Sequence, residues 1–92
     1  MMFTYMVRHE WNADDTDVVN SAIGQLIEKS RNNQLPKGVS LLGVMLSYSH
    51  PEAICVWEAD RKETIEGMLK ELNVPTRHTV AQYRAIYGLS KI

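Results

Sequence analysis

The chain has 92 residues, and its 10 Lys and Arg against 11 Asp and Glu leave a formal net charge of -1. That suits one domain, residues 1–92, with a core modest enough that a second subunit would help it. The cations Lys29, Arg31, Lys37, Arg61, Lys62 and Lys70 are scattered, which argues against nucleic acid as a partner, because phosphate backbones are met by clustered charge. Met1 to Val7 is apolar but is followed at once by Arg8, His9 and Glu10, too little for a signal or a membrane span. A cytoplasmic protein without a membrane partner is expected.

In chain order, Met2 to His9 alternates loosely and is rich in Phe, Tyr and Val, which predicts a first strand. Asp14 to Arg31 carries Val18, Val19, Ala22, Ile23, Leu26 and Ile27 at helical spacing, with acids at its start and Lys29 and Arg31 at its end. Asn32 and Asn33 stop it, and Pro36 with Gly38 makes the loop that follows. Val39 to Tyr48 predicts a second strand that is apolar on both faces: Val39, Leu41 and Met45 alternate with Leu42, Val44 and Leu46, and Leu42 and Val44 are expected to face outward.

After a Ser-His-Pro-Glu turn, Ala53 to Ala59 predicts a third strand holding Cys55, a reduced and buried thiol with no partner in the chain. Asp60 offers an N-cap with Glu63 three residues on, and Ile65, Met68, Leu69 and Leu72 form the stripe of a second helix ending near Asn73. Val74-Pro75 breaks it. His78 to Tyr87 reads as the last strand, carrying Val80, Ala81, Tyr83 and Ile86.

The order βαββαβ with right-handed crossovers predicts an α+β, ferredoxin-like fold: a four-stranded antiparallel sheet, order 4-1-3-2, with both helices on one face. The other face stays apolar. Two such sheets packed face to face make a homodimeric α/β barrel, the expected assembly.

Leu35-Pro36-Lys37-Gly38-Val39 with Leu41-Leu42-Gly43, then Val56-Trp57-Glu58-Ala59-Asp60, resembles small uncharacterised proteins of the dimeric α/β-barrel superfamily over about the last two-thirds of the chain. The stretch around Glu58, Ala59 and Val74-Pro75 is similar to a neighbouring family, some of whose members are described as nickel-binding. The wider superfamily includes cofactor-free monooxygenases, small-molecule isomerases and haem-degrading enzymes. The resemblance implies the fold and the dimer; its motifs are structural, and they carry over no metal ligand.

The histidines lead among candidate site residues. The topology puts the end of strand one (His9), the hairpin turn (His50) and the start of strand four (His78) at one edge of the sheet, with Glu10 beside them and Trp11 as cover. Neutral imidazoles in that arrangement suit a divalent transition metal, Ni, Zn or Cu. The plain alternative is three polar rim residues. Glu58, at the end of an apolar strand, is a candidate general base if it projects into the pocket between sheet and helices; otherwise it pairs with Arg84 or backbone donors. His78 is the second candidate for moving a proton.

Tyr5, Trp57 and Tyr83, with Tyr48 and Tyr87, could line a cavity for a flat ligand or serve as packing. Asn12, Trp57 and His78 echo the Asn, Trp and His set of haem-degrading relatives. Asp14, Asp15 and Asp17 are better explained by capping and the helix dipole than by a cation. Three readings stand: a homodimer binding a small ligand or a transition metal, a cofactor-free monooxygenase or isomerase acting on a small organic molecule, and a structural or regulatory dimer with no ligand.

Overall fold

A computed structural model describes residues 1–84, 86 and 87. Its elements are β1 (Phe3–Glu10), a 3-10 turn (Ala13–Asp15), α1 (Thr16–Arg31), β2 (Val39–Leu46), β3 (Glu52–Ala59), α2 (Lys62–Leu72) and β4 (Arg77–Tyr83). The strands form one sheet in the order β2-β3-β1-β4, every neighbouring pair antiparallel. This is the ferredoxin-like arrangement that the element order predicts.

Strand alternation divides the sheet into two faces. Tyr5, Val7 and His9 of β1 lie opposite Trp57, Cys55 and Ala53 of β3, and all six are buried. The apolar stripes of α1 (Val19, Leu26) and α2 (Ile65, Met68, Leu69) close over this face. Ile65 and Trp57 are fully buried, each worth roughly 1.5–3 kcal/mol of apolar transfer. The opposite face holds Thr4, Met6 and Arg8 of β1 with Glu58, Val56 and Ile54 of β3; among the described residues no helix covers it.

The strict alternation expected for β2 fails at one place. A bulge between Leu41 and Gly43 gives β2 one residue more than its partner, so Leu41 opposes Trp57 while Gly43 opposes Val56. An extra residue reverses the parity of everything after it. Val44 therefore opposes Cys55 and packs against the core instead of facing outward, and Met45 opposes Ile54 on the open face.

The caps also differ from expectation. Arg61, not Asp60, occupies the N-cap of α2 and makes no side-chain cap bond; the Asp60 carboxylate instead accepts a hydrogen bond from the Thr64 hydroxyl at 3.0 Å. Asp15 at the N-cap of α1 makes no cap bond either, so the acids there act through the helix dipole alone. Asn33 and Asn73 end the helices in the left-handed conformation, with φ of 56° and 51°, which Asn tolerates better than most residues. β4 ends at Tyr83 rather than Tyr87. Ala85 and residues 88–92 of the expected domain lie outside the described residues.

Candidate functional site

The register of β1 places His9 in the interior of the sheet on the helix-covered face, between Ala53 of β3 and His78 of β4. The small Ala53 side chain leaves the His9 ring room. Beyond it, the backbone N–H of Trp11 donates to the Pro51 carbonyl at 3.2 Å, which ties the end of β1 to the β2–β3 turn. The Trp11 indole N–H donates to the Thr16 hydroxyl at 3.1 Å, and the ring packs with Val19, Ala53 and Ile23.

His9 and His78 meet edge to face. Their Nδ1 atoms are 2.8 Å apart, with ring centroids 4.9 Å apart and planes at 89°. At that distance one Nδ1 carries a proton and the other a lone pair, so the two rings share a single proton between them. His9 is only 7% exposed, and its pKa is pushed down to about 4, first by desolvation and then by the charge His78 would carry. His78, on the outer strand, is exposed to solvent, while desolvation of its ring lowers its pKa too. His9 is therefore neutral at physiological pH.

The other nitrogen of His9, Nε2, is buried and has no hydrogen-bond partner. Which tautomer His9 adopts decides whether that atom is a base or a donor. Thr76 Oγ1 lies 2.9 Å from Nε2 and 3.4 Å from Nδ1 of His78. Being near both nitrogens at once, it sits off the lone-pair axis of each and packs against the ring.

His9 forms part of the wall of a cavity between the sheet and the helices. Val19, Ala22, Ile23 and Leu26 of α1 supply one side, Leu69 and Leu72 of α2 the other, and Cys55, Val74 and Thr76 the rest. It is narrow, about 20 Å³, the room one water molecule needs. The Cys55 thiol in this wall is 1% exposed and its pKa is raised to about 12 by burial.

The remaining candidates scatter. His50 is exposed in the β2–β3 turn, and among the described residues no three His, Cys, Asp or Glu side chains gather in a way that could hold a metal. The His9–His78 pair offers two nitrogen donors where a structural transition-metal site takes four ligands, so a metal there would need further ligands from water or a partner subunit. Asp14, Asp15 and Asp17 form no such group either. Glu58 pairs with Thr4 and Ser40 on the open face, away from the sheet-helix pocket that a general-base role would require it to enter. It takes no part in the two ion pairs seen among the described residues, Arg8–Glu10 and Lys62–Glu66.

Tyr5 and Trp57 oppose each other in the covered core, whereas Tyr83 opposes Thr4 on the open face, so the three do not line one cavity. Asn12 is exposed before the 3-10 turn, and Trp57 opposes Tyr5, four positions along β1 from the His9–His78 pair. The haem-like set is not assembled. Thr76 and the helix-borne wall were not singled out from the sequence. Thr76 could have been, because it precedes His78 by two residues and alternation predicts the same face.

No protein-family model matches the chain, and no curated protein matches it. Solved structures match its shape. One described as "Putative antibiotic biosynthesis monooxygenase from Nitrosomonas europaea" has a TM-score of 0.64 at 12% identity, covering 95% of this chain and 92% of that one. A second, described as an antibiotic biosynthesis monooxygenase, has a TM-score of 0.64 at 16% identity, covering 95% and 100%. A dimeric ferredoxin-like protein from an uncultured marine organism has a TM-score of 0.50 at 11% identity, covering 94% and 96%. At such identities the likeness shows the fold. None of the three descriptions mentions nickel.

Proposed function

We propose that the protein is a homodimer that binds a small organic molecule between sheet and helices and moves a proton with the His9–His78 pair, the chemistry of a cofactor-free isomerase or monooxygenase. The observation that carries this reading is the buried, unpartnered Nε2 of a histidine whose other nitrogen is held by an exposed histidine. Desolvation keeps His9 in its basic, neutral form. In the tautomer with the proton on Nδ1, Nε2 takes a proton from an acidic C–H or O–H of the bound molecule, and the Nδ1 proton passes to His78. The proton then leaves from the exposed ring to water. An isomerase returns a proton to another atom of the same carbanion or enolate; a monooxygenase exposes that anion to dioxygen.

Support for the dimer comes from the uncovered sheet face, where Met45 is 56% and Tyr83 53% exposed beside Met6, Ile54 and Ala81, and from a structural neighbour described as dimeric. Two neighbours described as monooxygenases agree with the oxygenase branch.

The test is deuterium exchange at the α-carbon of indan-2-one in D2O, followed by proton NMR. Wild type should exceed an equal concentration of free imidazole by at least about a hundredfold, the usual scale of positioned general base catalysis. His9→Gln should abolish the excess, and His78→Gln should slow exchange without abolishing it. Wild-type exchange no faster than free imidazole would sink the proposal.

A further inference from the structure

The open face of the sheet is apolar at its middle, and its charges stand in a symmetric pattern about that middle. We infer that a second copy of the chain docks there with its strands antiparallel to those of the first, so that Glu58 of each protomer meets Arg8 of the other. This rests on the homodimer of the proposed function and not on the chemistry of His9.

The register sets the pattern. Val56 of β3 and Met6 of β1 lie side by side at the middle of the face, between Gly43 of β2 and Ala81 of β4. Glu58 lies two residues from Val56 towards one end of the sheet, and Arg8 lies two residues from Met6 towards the other. The two charges are therefore placed evenly about one apolar centre, about 14 Å apart along the backbone plane. At that distance they do not pair within one chain. Glu58 takes part in neither ion pair among the described residues. One guanidinium nitrogen of Arg8 donates to Glu10 at 3.1 Å, and an arginine has further donors to offer.

A two-fold axis lying along the strands would keep each row of side chains over itself. Glu58 would then come one strand away from Glu58 of the partner subunit, and Arg8 from its own counterpart, so that like charges lose water together without a counter-charge. An axis lying across the strands, over Val56 and Met6, exchanges the two ends of the sheet instead. Glu58 then falls within one strand spacing, about 5 Å, of Arg8 of the partner subunit. The contact occurs twice, as an isologous interface requires, and Met6 and Val56 stack on their own counterparts. Sheets pack about 10 Å apart, a gap that an Arg and a Glu side chain span together. The outer row of Glu10, Glu52 and Arg77 overhangs the end of the partner sheet and stays in water.

Dimerisation constants from analytical ultracentrifugation give a test by sign. Glu58→Gln and Glu58→Arg should each weaken the wild-type dimer at least about tenfold, the scale of a close interfacial charge pair. An equimolar mixture of Glu58→Arg with Arg8→Glu should restore it. With the axis along the strands, Glu58→Gln relieves a repulsion and tightens the dimer, so a Gln variant as tight as wild type or tighter overturns the inference. A short bis-maleimide reads the geometry independently in a Cys55→Ser background. Glu58→Cys should cross-link only when mixed with Arg8→Cys, and self-cross-linking of either variant alone overturns the inference. A wild type that stays monomeric removes the inference together with the homodimer. A wild-type dimer indifferent to both charges removes the inference alone.

Discussion

The two faces of the same sheet have opposite fates although the same strands build both. On the covered face Val7, Trp57, Cys55 and His9 are withdrawn from water; on the open face Met45 and Tyr83 keep more than half of their surface exposed. Composition does not separate them, because both faces are rich in apolar residues. What separates them is parity, counted from β1 outward, and the single bulge that resets the count in β2. The only titratable imidazole deep in the structure, His9, is on the face where desolvation acts on it. Glu58 falls on the other face and makes no part of that site.

The largest contrast between the faces should come from truncating one side and charging the other. Trp57→Ala empties the center of the covered core and should cost about 3–5 kcal/mol in urea unfolding. Met45→Lys should leave monomer stability within about 0.5 kcal/mol, as surface substitutions do, yet shift the elution volume from dimer to monomer. A Met45→Lys variant that unfolds as readily as Trp57→Ala would mean that the open face belongs to the core of one chain.

Much of this was legible before any coordinates. Six elements, their order and the sheet topology follow from helical spacing in α1 and α2, β-rich alternation, and the Asn and Pro signals between them. Topology brings the end of β1 beside the start of β4, since the strands are antiparallel neighbours, while the direct pairing of His9 with His78 depends on a register that the sequence leaves open. Three things were not legible. The bulge has one mark, the isolated Gly43 inside an apolar strand, but a lone glycine does not fix where the alternation resets, so Val44 and Met45 read on the wrong faces. Glu58 depended on register, which β3 does not specify by itself because Val56 and Ile54 are as apolar as Cys55 and Trp57. The aliphatic wall comes from packing two helices on a sheet, and each of its residues reads in isolation as ordinary core.

A second, smaller contrast concerns pH. Because the pKa of His9 in the folded protein is about 4, below the ordinary value near 6.5, the unfolded chain takes up its proton first as the pH falls. The stability that His9 contributes as a neutral ring is full above about pH 6.5 and is lost progressively down to about pH 4, below which both states are protonated. The shift corresponds to roughly 3 kcal/mol, and the lowered pKa of His78 acts in the same direction. His9→Gln should flatten the profile between these pH values. An unchanged slope in that variant would place the titrating group elsewhere.

The smallest effect in energy is the sharpest in resolution, because Ile54 and Cys55 are consecutive and lie on opposite faces. Cys55 is 1% exposed and its thiol is pushed up to about 12, so at pH 8 the reactive thiolate is a fraction on the order of one in ten thousand. A thiol reagent should label it at least about a thousandfold more slowly in the native protein than in denaturant. In a Cys55→Ser background, Ile54→Cys presents the thiol on the uncovered face and should react quickly in dilute protein. Raising the protein concentration should then slow it, as the partner sheet covers the position, and adding Met45→Lys should restore the fast rate. Parity fails if Ile54→Cys is as slow as Cys55 at every concentration. The dimer through this face fails if its rate does not depend on concentration at all.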